Sequence, residues 1–445
     1  MTLRRLLSPL TSLVIFILGH GMFNTLLTVR LSAEDVSAQA IGLVSAAYFG
    51  GLVLGAFVNA RLIIRVGHIR AYAAYASLLC FLFLLHGMVV EPISWAAMRL
   101  VGGFATGGLF VVLESWMLVS STPANRGRLM SLYMILLYGS LAMGQLLLKW
   151  VDPMVLTPFA LCAMAATLSV VPLAISRVAM PAMVAPQPVG VRELVRLTPA
   201  GMGSSFTSGL ILGAIYGLLP LYFADTGASL SRVADMMALV ILGGMCLQYP
   251  IGRMSDRFDR RLVILLLCSV LTLLAFLMVA LPAGWREPIA GALVFLLGGM
   301  AFSIYPLSLS HACDELHPDQ VLGANQGLLL AYSMGAMIGP LLAPLLMRPF
   351  GPEGLFLYFA LCGALLATYL GWRKRQRAPI PLDEHQVFIP VPPNTPMTAE
   401  LEPRTDLAGE AVPTSYATPD APLDTAPENT PDLTSGNTGG AREGA

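Results

Sequence analysis

Residues 252–281 read Gly252-Arg-Met-Ser-Asp256-Arg257-Phe-Asp-Arg260-Arg261, then Leu262-Val-Ile-Leu-Leu-Leu-Cys-Ser-Val-Leu-Thr-Leu-Leu-Ala-Phe-Leu-Met-Val-Ala-Leu281. The second part holds no charged residue, no His, Asn or Gln, and no glycine. At 1.5 Å rise per residue such a run makes a helix of about 30 Å, the thickness of a bilayer's hydrocarbon core. The first part is a turn crowded with arginine, placed where a helix leaves the lipid. Eleven further apolar runs flank this one. The predicted spans are 9–29, 40–60, 71–90, 94–118, 128–149 and 155–176, then 198–223, 233–252, 262–281, 288–311, 322–346 and 354–372.

Composition agrees. Of 445 residues, 56% are hydrophobic and 12% charged, about half the charged share of an ordinary soluble chain. Lys and Arg collect on the cytoplasmic side of membrane proteins. With the N-terminus inside, eighteen fall on inside segments, among them Arg61, Arg65, Arg70, Arg126, Arg128, Arg253, Arg257, Arg260 and Arg261. Five fall outside: Arg30, Lys149, Arg232, Arg286 and Arg348. Shifting the span count by one scrambles this contrast, so both termini are expected in the cytoplasm of a bacterial inner-membrane protein. The apolar run after Arg5 extends to Val29 with no cleavage site at a sensible distance, and reads as a retained first span.

The two groups of six spans repeat each other. Gly21 matches Gly213, Gly50-Gly51 matches Gly243-Gly244, Gly102-Gly103 matches Gly298-Gly299 and Tyr138 matches Tyr332, at offsets between 192 and 196. The expected organisation is a six-helix half at 1–176, a linker at 177–197, a second half at 198–375 and a disordered tail at 376–445. The tail carries twelve prolines after Arg377 and few large apolar residues, too little to bury a core. Spans 3, 6, 9 and 12 are the plainest. Polar residues and Gly-xxx-Gly pairs, which let helices approach closely, gather on the others, as two halves facing a shared substrate site require.

The 252–261 turn resembles the signature loop of the major facilitator superfamily, Gly-x-x-x-Asp-Arg-x-Gly-Arg-Arg, with Asp259 in place of the second Gly. The matching turn between spans 2 and 3, Arg65-Val-Gly67-His68-Ile-Arg70, lacks the Asp. Together with Leu113-Glu114-Ser115-Trp116, the chain resembles the YcaD-like branch of that family over roughly 8–375. The resemblance implies an all-α fold of twelve transmembrane helices in two pseudo-symmetric halves. It also implies a cytoplasmic ion network that opens when the halves rock apart. Its members would be Arg65, Arg70, Glu114, Arg128, Asp256, Arg257, Arg260 and Arg261; the plain alternative is that the arginines only anchor the topology. Arg99-Leu-Val-Gly102-Gly103 resembles the family's fourth-helix motif, whose Arg is implicated in coupling and substrate contact. The antiporter pattern expected on span 5 is absent there and appears on span 11 as Gly335-Ala-Met-Ile-Gly339-Pro340.

An ionisable residue within a span is costly and is a functional candidate by default. Arg99 falls in the outer half of span 4, either turned inward to hold an anionic group or tune an acid, or snorkelling to the interface. Glu114 lies fifteen residues on, about 22 Å along a helix, too far to pair with Arg99 and within reach of Arg65 or Arg128. It serves either as a gate partner or as a proton carrier. His20, Asn24 and Thr28 share one face of span 1, and His20 near mid-membrane has a side chain whose ordinary pKa suits proton movement. Tyr216, the repeat mate of Asn24, and Gln248 complete the expected substrate and coupling set.

The six cysteines have neither metal-motif nor redox-motif spacing, and no His-Glu-x-x-His, Gly-x-Ser-x-Gly or Lys-bearing phosphate loop is present. No enzymatic role, cofactor, metal or nucleic-acid partner is expected. The expected function is secondary active transport of a small organic solute by alternating access, coupled to protons, by a monomer in contact with membrane lipid. A channel, and a receptor on a transporter scaffold with the tail as output, are the other readings.

Overall fold

In the computed structural model the protein is described over residues 4–119, 121, 126–176, 195–316, 321–376 and 388–393. Twelve helices in these residues are long and apolar enough to cross a membrane. They are α1 (Arg4–Ala33), α2 (Ala38–Val66), α3 (His68–Met88), α4 (Pro92–Val119), α5 (Arg126–Leu147) and α6 (Thr157–Leu168, continued by Val170–Ala174), then α7 (Pro199–Asp225), α8 (Leu230–Ser255), α9 (Arg260–Ala280), α10 (Ala283–Glu315), α11 (Val321–Phe350) and α12 (Gly354–Lys374). The break in α6, expected as one continuous span, precedes Pro172, which has no N–H to offer the preceding turn.

Local chemistry sets the helix ends. Ser37 and Ser229 cap α2 and α8, each hydroxyl accepting from the amide three residues on. Asp259 caps α9 by accepting from the Arg261 N–H at 3.0 Å. The α2–α3 turn is the single residue Gly67 at φ +92°, a backbone that a side chain would strain; its N–H closes α2 on the Ile63 carbonyl at 2.8 Å. We call the end of the bundle bearing this turn and the α8–α9 turn the basic end, and the other the opposite end.

Packing reproduces the sequence repeat. In one half α2 packs on α4, α1 on α5 and α3 on α6; in the other α8 packs on α10, α7 on α11 and α9 on α12. The halves meet where α2 lies along α11 and α5 along α8. Glycines at the crossings refine the register. Gly51 abuts the Leu100 carbonyl and Gly103 the Tyr48 carbonyl; Gly243 abuts the Phe295 carbonyl and Gly298 the Val240 carbonyl. Likewise Gly21 meets Leu141 and Gly144 meets Leu18, while Gly213 meets Ala336 and Gly339 meets Leu210. The offset is 192 for α1 and α2 and 195 for α4 and α5 at every one of these positions. Gly51 therefore corresponds to Gly243, and Gly103 to Gly298, one residue away from the match of glycine pairs. Neighbouring residues on a helix point about 100° apart, so only one register brings the bare backbone to the crossing.

The plain helices α3, α6, α9 and α12 pair with each other, and large apolar side chains such as Phe81, Met164, Leu273 and Leu365 are exposed on them. His86 on α3 is buried: its Nδ1 lies 2.7 Å from the Leu82 carbonyl, and its ring meets Phe23 and Trp95.

Within the segment read as a disordered tail, residues 388–393 are packed on the bundle, with Phe388 and Val391 buried. Average tail composition concealed the local run Phe388-Ile-Pro-Val-Pro-Pro393, which is apolar throughout. Residues 377–387 and 394–445 of the tail and 177–194 of the linker, with Arg177, Arg192 and Arg377 among them, lie outside the described residues.

Candidate functional site

The crossing pattern leaves a cavity of about 110 Å³ between the halves, walled by α1, α2, α4 and α5 on one side and by α7, α10 and α11 on the other. His20, Asn24 and Thr28, spaced one turn apart on α1, all face it, joined by Tyr48 of α2 and Arg99 of α4. The facing wall is aromatic: Tyr216, Phe302 and Tyr332, with Tyr138 of α5 and Tyr216 both set edge-on to the Phe302 ring at 5.4 and 5.9 Å.

His20 Nε2 lies 3.1 Å from Asn24 Nδ2 and 3.2 Å from the Tyr48 hydroxyl. With the Asn24 amide N–H as donor, Nε2 is the accepting nitrogen of the ring. The ring stacks on Phe16 at 5.5 Å. Arg99 is turned inward. Its guanidinium carbon sits 4.1 Å from the centre of the Tyr48 ring and 5.8 Å from that of Phe23. It is 8% exposed and forms no ion pair among the described residues. The aromatic faces offset part of the cost of a buried cation, but they supply no anion.

The chemistry is one-sided. By the packing register, His20 corresponds to Leu212, Tyr48 to Val240 and Arg99 to Val294. Duplicated helices shape both walls, but the charge and the imidazole come from the first half alone, while the phenols come from both, Tyr48 and Tyr138 from the first and Tyr216 and Tyr332 from the second. At the opposite end the halves are fastened together: Thr28 donates to the Gly217 carbonyl at 3.0 Å, Ser32 to Asp225 at 3.4 Å, and Lys149 pairs with Asp235 at 2.5 Å.

Of the residues expected to form the gate, Asp256, Arg260 and Arg261 lie together at one turn, and Glu114 stands apart from them. Glu114 is fully buried and accepts from the Tyr133 hydroxyl at 2.7 Å. Arg65 and Arg128 are exposed and form no ion pair among the described residues. Arg128 precedes Tyr133 by five residues, a turn of about 140° around α5, so the two cannot face Glu114 together. Arg70 and Arg257 are likewise exposed. Asp256 lies 3.5 Å from Arg260, whose Nε is 2.7 Å from Asp314 on α10, and Arg261 Nε is 3.5 Å from Asp259. These contacts tie α8, α9 and α10 together within one half. Gln248 is buried on α8 outside the cavity wall. The sequence reading missed Tyr48, Phe302 and Asp314 as site residues. Tyr138 and Tyr332 were visible only as repeat mates.

Two six-helix halves and a central cavity shared between them are the architecture of a membrane transporter. The chain belongs to the Major Facilitator Superfamily, whose sequence model matches residues 10–330 and again 201–401. It is 32% identical over 357 residues to the uncharacterized MFS-type transporter YcaD of Escherichia coli strain K12 / DH10B, covering 79% of this chain and 91% of that one. Identity to the protein of the same name from Escherichia fergusonii is 31% over 353 residues, with the same coverage. Among solved structures it shares its fold with the nucleoside transporter NupG, at a TM-score of 0.68 and 15% identity over 84% of this chain and 99% of that one. It also shares it with a bacterial homologue of the human lysosomal transporter Spinster in an inward-facing, occupied conformation, at 0.67 and 13% over 86% and 97%.

Proposed function

We infer that the protein is a proton-coupled secondary transporter of a small, singly anionic organic solute, working by alternating access in a bacterial inner membrane. Arg99 carries this reading. A guanidinium cannot shed its charge, and one held inside a membrane protein without a carboxylate is costly. A solute carboxylate in the cavity relieves that cost, while Tyr138, Tyr216 and Tyr332 offer hydroxyls and ring edges to its body. The preponderance of Lys and Arg at the basic end supports placing that end, and both termini, in the cytoplasm.

Coupling follows from hydrogen-bond bookkeeping at His20. A proton arriving on Nε2 turns it from acceptor to donor, so the Asn24 amide must rotate to present its oxygen. The amide N–H that is released can then donate to the solute. A bound anion beside Arg99 and a protonated imidazole also attract each other, so solute and proton load together.

The test uses purified protein in liposomes, with a panel of aliphatic and aromatic monocarboxylates and matched neutral amides, under an imposed pH gradient. Uptake of at least one carboxylate against its gradient, absent for its amide, is expected. Uptake of neutral solutes only would overturn the anion reading. Ohmic current in place of saturable flux would make the protein a channel.

A further inference from the structure

The buried segment Phe388–Pro393 lies outside the twelve helices, yet it reaches the cavity between them. The Phe388 N–H donates to Asp256 Oδ1 at 2.9 Å, at the turn between α8 and α9. The Phe388 ring lies against Gly252 so closely that a Cβ there would overlap it. Val391 is 2% exposed, and Pro393 forms part of the wall of the central cavity with His20, Arg99 and Tyr216. The segment thus runs from the basic end of the bundle to the candidate site.

Its composition suits the route. Pro390, Pro392 and Pro393 have no N–H, so an extended chain bearing them enters an apolar cleft with few donors left unsatisfied. Proline also holds the chain near an extended conformation before it docks, which lowers the entropy cost of ordering it. From Phe388 to Pro393 such a chain spans about 15 Å at 3.1 Å per residue. That is half of the roughly 30 Å hydrocarbon thickness, the distance from the membrane edge to its middle.

We propose that residues 388–393 are an autoinhibitory plug that occupies the passage between the basic end and the cavity. Phe388 is its anchor on Gly252 and Asp256, and Pro393 its tip. The plug and a solute on that passage exclude each other, so transport requires the segment to leave. The inhibitory role rests on the transport reading; the occupation of the passage does not.

The test labels the cavity without needing a substrate. Ser333→Cys places a thiol in the cavity wall, in a full-length chain whose two cysteines that are not buried, Cys80 and Cys246, are changed to alanine. The probe is the small anionic reagent 2-sulfonatoethyl methanethiosulfonate, on protein in detergent, with total thiol measured after unfolding. Two variants evict the plug by different means: Phe388→Ala with Val391→Ala removes its anchors, and Gly252→Leu fills the anchor's seat. Labelling at least tenfold faster in both than in the intact chain is expected. Equal rates in the intact chain and both variants, with all three eluting as single folded species, would overturn the plug. The same variants in liposomes should raise carboxylate uptake. Fast labelling without any uptake would count against the transport reading and leave occupation of the passage standing.

Discussion

The Arg99 guanidinium lies 4.1 Å from the centre of the Tyr48 ring, and the hydroxyl of that tyrosine lies 3.2 Å from His20 Nε2. One phenol therefore touches both the buried cation and the buried imidazole of the cavity. The charge that would hold an anion and the group that would carry a proton are linked through a single side chain.

Removing the charge should remove recognition. Arg99→Gln is expected to abolish thermal stabilisation by a carboxylate that stabilises the parent protein. Arg99→Lys, a compact ammonium without the planar fork, should retain it with affinity lowered about tenfold, or about 1.4 kcal/mol. Thermal-shift titration checks both.

His20→Gln should uncouple flux from protons. The glutamine keeps a polar group beside Asn24 but does not titrate near neutrality. Uphill uptake driven by a pH gradient is expected to fail while downhill exchange of labelled solute persists. If accumulation survives in His20→Gln and is lost in Glu114→Gln, the proton belongs to Glu114.

The ion pairs at the basic end should separate by burial. Arg260 and Asp314 are each 1% exposed, and removing one partner of a buried pair typically costs about 3–5 kcal/mol. Asp314→Asn is expected to lower stability strongly. Asp256→Asn, at a carboxylate 28% exposed, should lower it little and act chiefly by loosening Phe388. Melting temperature and the labelling rate of Ser333→Cys distinguish these two outcomes.

The helix crossings should be intolerant of side chains and equally so in both halves. Gly103→Val and Gly298→Val each drive a branched side chain into a facing backbone carbonyl, and overpacking of this kind costs about 1–3 kcal/mol. Similar falls in melting temperature are expected. A large fall for one and none for the other would break the register derived from packing.

Glu91, outside the spans, gives a pH signature. Its carboxylate accepts from the backbone N–H groups of Ser94 and Ile93 at the start of α4, the Ser94 bond being the main reason its pKa lies below the usual carboxylate range. A depressed folded-state pKa adds stability that is fully present above the unfolded value, about 4.3 for Glu. That stability is lost as pH falls through the folded value. Glu91→Gln should therefore melt slightly lower than the parent near neutral pH, with the difference closing in acid as pH falls through the folded-state value.

Much of this protein was legible without its tertiary structure, because the bilayer imposes rules that act on sequence directly. Twelve apolar runs, their basic punctuation and the near-constant repeat offset yield the number of helices and the two halves, since each depends only on helix length and local charge. His20, Asn24 and Thr28 were assigned to one face for the same reason: helical periodicity is a property of a single segment. What required the tertiary structure is everything settled by how helices rotate against one another. Arg99 was equally compatible with snorkelling until its direction was seen. Glu114 faces Tyr133 and neither of the arginines its position suggested. Arg260 finds Asp314 from 54 residues away. The segment 388–393 escaped composition altogether: six apolar residues within a polar, proline-rich tail have no core of their own, and only the folded helix bundle supplies one.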